Sequence, residues 1–206
     1  MVLKACLLDA GFSDDTRHTV DIDANWNSET EPTTEQIAES FQKAIDRSEI
    51  GLAVSIYRTH DEGRSAGLEL SDKQIGEVLF TIDVDVNRPL AATKMYEVSG
   101  LCFRGVTPLQ IITDKVSVIS SDKVFRRIKD VVDLYYLSKA FEFNEENVLH
   151  TLSENGRILG DFNGFLNRKA DLKHSYDKFR FAGGINKPPF EDMYQAVLKF
   201  ISNIIP

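Results

Sequence analysis

The chain is short of the residues that mark several common protein classes. It has two cysteines in 206 residues, Cys6 and Cys102, too few for a disulfide scaffold or a thiolate metal site. Both stand among apolar neighbours and are expected to be core thiols. The four histidines, His18, His60, His150 and His174, are scattered and lack zinc-ligand spacing. No apolar run approaches the roughly 20 residues that span a bilayer. The apolar start breaks at Ala10-Gly11-Phe12 and runs into Ser13-Asp14-Asp15, which argues against a signal peptide and for a cytoplasmic location. Neither common glycine-rich phosphate loop is present, nor a Gly-x-Ser-x-Gly elbow. Positive charge is also scarce. Lys and Arg number 24 against 32 Asp and Glu, a net charge of -8. That is the opposite of what a nonspecific nucleic-acid or membrane binder needs. It is compatible with a local basic pocket and a small anionic substrate carried with magnesium.

What the chain does have is a core. Hydrophobic residues make up 42% and charged residues 27%, the balance of a folded protein. Its length suits one large domain, or one domain with a helical extension. Residues 2–10 are apolar enough for a short starting helix, and residues 17–26 form a strand. Thr33 and Gln36 are spaced as a capping box ahead of a helix over 34–48, whose stripe is Ile37, Ala38, Phe41, Ala44 and Ile45. Strands follow at 52–57, 67–71 and 77–86, with a loop at 60–64 and mixed short extended pieces from 94 to 103. The first half is therefore a mixed or antiparallel sheet with a helix. Beyond Arg104 the pattern turns helical. Thr107-Pro108-Leu109-Gln110 opens a helix to about Ile119 with a cap and a proline in its first turn. Further helices are expected over about 122–141, 144–153 and 190–204. The stretch 156–184 is glycine-rich and poorly periodic, with a short helix near 161–166. A soft boundary falls near residue 105, giving a core over 1–105 and a mainly helical region over 106–206.

The charged strand Arg17-His18-Thr19-Val20-Asp21-Ile22-Asp23 carries the most chemistry. Side chains alternate across a strand, so Asp21 and Asp23 share a face about 6–7 Å apart, with Arg17 and Thr19 on the same side. Thr81-Ile82-Asp83-Val84-Asp85-Val86 repeats the acidic pattern. Stacked like charges cost energy unless a cation or solvent takes up the charge. One or two carboxylates plus substrate phosphates suffice for magnesium, and Asp83 or Asp85, of the same parity, could add a third. A solvated acidic strand edge explains one Asp-x-Asp alone; the second pair weakens that explanation. Arg17 has two readings, a phosphate ligand or a surface salt bridge to Asp14 or Asp15.

Lys115 lies beside Ile111 and Val118 on a helix that is apolar over a wide arc. It either snorkels to water or has a charged partner, for which a triphosphate would serve. On the next helix Val124, Ile128, Val131 and Tyr135 form the packed stripe. Arg126, Asp130 and Asp133 share another face, which surface ion pairs would explain. Alternatively Arg126 or Arg127 meets phosphate while Asp130 orders Lys115 or an arginine.

Together these pieces resemble the nucleotidyltransferase-like toxins of the AbiEii/AbiGii type, which belong to the polymerase-beta-like nucleotidyltransferase fold. The resemblance rests on Arg17-His18-Thr19-Val20-Asp21-Ile22-Asp23, on Thr81-Ile82-Asp83-Val84-Asp85, on Thr113-Asp114-Lys115-Val116 and on Arg127-Ile128-Lys129-Asp130-Val131-Val132-Asp133-Leu134-Tyr135. Order and spacing agree over about residues 1–140. The resemblance implies an α+β fold, a nucleotidyltransferase-like mixed sheet with flanking helices followed by a helical C-terminal region. It implies Mg2+-dependent transfer of a nucleotidyl group from an NTP to an acceptor such as tRNA, with an antitoxin protein as partner. Asp21 and Asp23 would bind metal, Asp83 would be the third carboxylate and base, Lys115 would contact the triphosphate and Asp130 would support the site. Arg17, Thr19 and Arg126 are further candidates for nucleotide contact.

In that family a strand and a Gly-Gly or Gly-Ser loop, whose amides hold the triphosphate, precede the arginine. Here Met1 stands about where the glycine pair should end. Either the protein begins further upstream or this version has lost the loop, and the chain as given is expected to bind an NTP poorly. Two other readings follow: a nucleotidyltransferase-fold binding module with impaired catalysis, and a magnesium-dependent phosphodiesterase using the same carboxylates.

Overall fold

The computed structural model describes residues 2–3, 22–26, 28, 30–60, 65–86, 91–98, 100–142, 144–181 and 187–205. Arg17, His18, Thr19, Asp21 and Cys6 lie outside these residues, as do the expected turn at 13–15, residues 61–64 of the loop expected over 60–64 and Gly183-Gly184; His60, expected in that loop, ends a strand instead. By internal contacts the chain forms two units, one ending at Gly105 and one running from Val106.

The first unit is a mixed sheet carrying one helix. Its strands are β1 (Val2–Leu3), β2 (Ile22–Asn25), β3 (Leu52–His60), β4 (Ser65–Asp72), β5 (Val78–Asp85), β6 (Thr93–Val98) and β7 (Leu101–Val106). Their order in the sheet is β3-β4-β5-β2-β1-β7-β6. β2 runs parallel to β5, and β1 runs parallel to β7 and antiparallel to β2. The helix expected over residues 2–10 is corrected at its start. Val2 and Leu3 are a strand, because Leu3 pairs with both Ala24 and Gly105. An apolar run this short fits a central strand as well as a helix, and only its neighbours decide. The mixed stretch at 94–103 resolves into the two full strands β6 and β7.

α1 (Thr34–Ser48) begins as its sequence dictates. The Thr33 hydroxyl accepts from the Gln36 amide, and the Gln36 side chain accepts from the Thr33 amide at 2.9 Å. Ile37, Ala38, Phe41 and Ile45 of α1 pack on Ala24, Ala66, Leu68, Leu70, Ile82 and Val84 of the sheet. Those strand positions alternate, so one face of β2, β4 and β5 lies in the core and the other is left for polar groups.

Cys102 is exposed, contrary to the core thiol expected. Alternation along β7 places it with Arg104, also exposed, while Gly105 and Val106 are buried.

The second unit is helical: α2 (Pro108–Ile119), a 3₁₀ turn (Val124–Arg127), α3 (Ile128–Ala140), α4 (Glu145–Glu154), α5 (Asn163–Asn167), α6 (Lys169–Lys178) and α7 (Phe190–Phe200). The Thr107 hydroxyl caps α2 by accepting from the Gln110 amide. α3 is the central element, with Val131, Val132, Leu134 and Leu137 almost without exposure. α6 lies inside the stretch whose pattern was too weak to show it. Only Leu172 and Tyr176, one turn apart, are buried on it, and the rest is polar or small. Gly160 allows the preceding segment to lie on the end of α2. Its amide donates to the Ser120 hydroxyl at 2.9 Å, and a Cβ there would fall 2.3 Å from the Ser120 carbonyl oxygen. No helix among the described residues is long and apolar enough to cross a membrane.

Candidate active site

The parallel register of β2 and β5 puts Asp23 opposite Asp83 and Asn25 opposite Asp85. Neighbouring strands lie about 4.8 Å apart, and residues in register point to the same side. Ala24, Ile82 and Val84 fill the core face, so Asp23 and Asp83 share the other. Register thereby separates the two candidates of equal parity: Asp83 adjoins Asp23, and Asp85 adjoins Asn25. Two carboxylates side by side repel, and a cation beside them lowers that cost.

Arg58 supplies such a cation. The β3–β4 register shifts between Ile56 and Arg58, a bulge at Tyr57 that leaves Arg58 opposite Gly67. Gly67 is in turn opposite Asp83. Tyr57 and Arg58 thus reach across one strand to the next. The Tyr57 hydroxyl donates to Asp83 Oδ1 at 2.9 Å, and an Arg58 Nη2 hydrogen bond goes to Asp83 Oδ2. Gly67 is what allows the crossing. A Cβ there would lie 2.4 Å from Arg58 Cγ and 2.7 Å from Tyr57 Cε1.

In the second unit Lys115 is neither snorkelling nor open. Its ammonium lies 3.0 Å from Asp130 Oδ1 and 2.6 Å from Asp133 Oδ2. Arg127 Nε donates to the other Asp130 oxygen at 2.8 Å. The Lys115 side chain is 16% exposed, Asp130 5% and Asp133 not at all. Lys115 and Arg127 thus offset the charges of Asp130 and Asp133, and a buried charge needs such a partner. Burial opposes the charge on Lys115, yet Asp133 and Asp130 outweigh it and raise its pKa. Burial likewise pushes the Asp130 carboxyl up, but Lys115 and Arg127 prevail and hold it below the usual range.

Of the two readings of this face, surface ion pairs are corrected, and the alternative that Asp130 orders Lys115 or an arginine is what is found. Asp130 and Asp133 point inward, and Arg127 rather than Arg126 meets Asp130. Residues 124–127 are a 3₁₀ turn, whose three-residue period rotates Arg126 away from the face that α-helical counting gives it. Arg126 is exposed, its guanidinium carbon 5.9 Å from the Phe125 ring centre.

The donor set of Asp23 and Asp83, hard carboxylate oxygens on one face, fits a magnesium ion in chemistry. Asp83 carries two hydrogen bonds already, and among the described residues no three His, Cys, Asp or Glu side chains are grouped to hold a metal.

The sequence matches the family described as nucleotidyl transferase AbiEii toxin, type IV toxin–antitoxin system, over residues 5–196. The chain belongs to this AbiEii family. Among solved structures it is similar to MenT4, a nucleotidyltransferase toxin from Mycobacterium tuberculosis H37Rv. The TM-score is 0.60 at 13% identity, covering 98% of this chain and 75% of MenT4. It also matches an antigenic nucleotidyltransferase-like protein from Paracoccidioides brasiliensis, with a TM-score of 0.45 at 12% identity, covering 89% of this chain and 87% of that one. No curated protein matches the chain. The fold of this AbiEii-family chain is thus that of a nucleotidyltransferase toxin, with a mixed sheet and helices.

Three residues of these clusters were not singled out as site residues from the AbiEii-family sequence. Asp133 is wholly buried on a helix otherwise apolar from Val131 to Leu137, and a carboxylate in that setting needs a cation. Tyr57 and Arg58 gave less signal, because a bulge changes the side to which a strand residue points.

Proposed function

We propose that this AbiEii-family protein is a magnesium-dependent nucleotidyltransferase that moves a nucleotidyl group from an NTP to an acceptor, with tRNA the acceptor class. The in-register pair Asp23 and Asp83 carries the reading, because it is the part of the family's acidic pattern whose geometry is described. Asp21 and Asp23 would hold Mg2+, and Asp83 would act as third carboxylate and base. Lys115 would contact the triphosphate, with Asp130 and Asp133 fixing its ammonium; Arg17, Thr19 and Arg126 are further nucleotide contacts. Bound magnesium would neutralise phosphate charge, and the side chains would position the reactants. An antitoxin partner follows from the type IV toxin–antitoxin family, and a cytoplasmic site of action fits the scarcity of cysteine and the absence of a bilayer-length apolar run.

The test is incubation with radiolabelled NTPs, Mg2+ and total tRNA, beside the double variant Asp21→Ala/Asp23→Ala. Label should pass to tRNA with the unaltered chain and not with the variant. Transfer by both, or by neither, would remove this mechanism. One observation favours a second reading, a binding module of the same fold: Lys115 and Asp83 are both already partnered within the chain. NTP binding without transfer would support it, and tRNA fragments without label would point to a phosphodiesterase.

A further inference from the structure

We propose that Arg58 is the resident counter-cation of Asp83, a positioning residue that a divalent metal ion displaces in order to bind there. This rests on the reading of Asp23 and Asp83 as metal ligands. The arrangement is built by the backbone and does not depend on the chance meeting of two long side chains. An unbroken strand would send residues 57 and 58 to opposite faces. The bulge between Ile56 and Arg58 brings both toward Gly67, and the missing Cβ there opens the way to Asp83.

The two donors divide the carboxylate between them. Tyr57, neutral, takes Oδ1 at 2.9 Å, and Arg58, charged, takes Oδ2. Tyr57 therefore orients Asp83 without altering its charge, while Arg58 offsets the charge of Asp83, which is in register with Asp23 in the next strand. The Arg58 guanidinium carbon also lies 5.0 Å from the Tyr57 ring centre, a cation–π contact that keeps the arginine over the crossing. The ion pair is partly open to solvent, with Arg58 44% and Asp83 30% exposed. An exposed pair is weak, so the guanidinium can leave at small cost. A divalent ion held by Asp83 would repel the guanidinium at close range. Arg58 keeps the acidic pair tolerable before metal arrives and sets a threshold for metal entry.

The experiment is Mn2+ binding to the full chain by titration calorimetry, without nucleotide, for the unaltered protein, Arg58→Gln, Arg58→Lys and Asp23→Asn. Arg58→Gln should bind Mn2+ about tenfold more tightly, since one competing charge is gone. Arg58→Lys should return most of the way to the unaltered affinity, and Asp23→Asn should lose binding. Binding that depends on Asp23 but is unchanged or weaker in Arg58→Gln overturns the role of Arg58 and leaves the metal site standing. Binding that is absent, or indifferent to Asp23, overturns the metal site and the role of Arg58 with it.

Discussion

The ammonium of Lys115 lies 2.6 Å from Asp133 Oδ2, and the aspartate is wholly buried. One residue comes from α2 and the other from α3, 18 positions apart, and each makes the burial of the other tolerable. Asp130, one turn before Asp133 and 3.0 Å from the same ammonium, ties Arg127 into the network.

Removing a partner from that network should unfold the helical unit readily. Asp133→Ala leaves a buried ammonium short of a counter-charge, and about 3–5 kcal/mol should be lost. Lys115→Met should cost as much by taking its ammonium away from the buried carboxylates of Asp130 and Asp133. Urea unfolding monitored by circular dichroism measures both.

The same network sets a pH window for stability. Asp130 has its folded pKa below the ordinary 3.8, so its contribution is complete above that value and is lost as pH falls from there toward the folded pKa. Lys115 has its folded pKa above the ordinary 10.5, so its contribution is complete below that value and fades as pH rises through the higher folded pKa. Melting temperature against pH should show a plateau between these limits. Asp130→Asn should lower the plateau and flatten its acid edge.

Asp83→Asn should separate chemistry from stability. The Arg58–Asp83 pair is partly exposed, and such pairs contribute about 0–1 kcal/mol. Chemical denaturation should therefore change little, while label transfer to tRNA falls at least about a hundredfold, as for loss of a group acting in proton transfer. A large loss of stability with activity retained would place Asp83 in the scaffold instead.

Gly67→Ala should act on Asp83 through its neighbours. Its Cβ would meet Arg58 Cγ at 2.4 Å and Tyr57 Cε1 at 2.7 Å, so both side chains must move off the carboxylate. Overpacking of this kind costs about 1–3 kcal/mol. Mn2+ affinity in calorimetry should rise, as for Arg58→Gln.

Thr33→Ala should weaken the entry to α1. It removes the hydroxyl that accepts from the Gln36 amide, a loss of about 1 kcal/mol. Thermal unfolding gives the value, and Thr33→Ser should restore most of it.

Much of this molecule was legible along the chain because it rests on local rules. The cap at Thr33, the proline start of α2, the apolar stripe of α1 and the alternation in β5 all depend on residues within a turn or two of one another. Asp23 and Asp83 could be named as acidic strand residues for the same reason, while the apolar surroundings of Lys115 left open whether it snorkels or has a charged partner, and the structure shows the second. The weakly periodic α6 and the two-residue β1 were beyond such rules, since each is fixed by what packs beside it.

The sequence by itself determined the mixed sheet, the helical second half, the acidic strands and the family motifs. Local propensity and periodicity are properties of neighbouring residues and survive without a fold. Only the tertiary structure decided which carboxylate adjoins Asp23, that Arg58 and Tyr57 cross Gly67 to reach Asp83, and that Asp133 rather than solvent completes the charge on Lys115. Those pairings depend on strand register, a bulge and the burial of facing helices, and each brings together residues far apart in the chain.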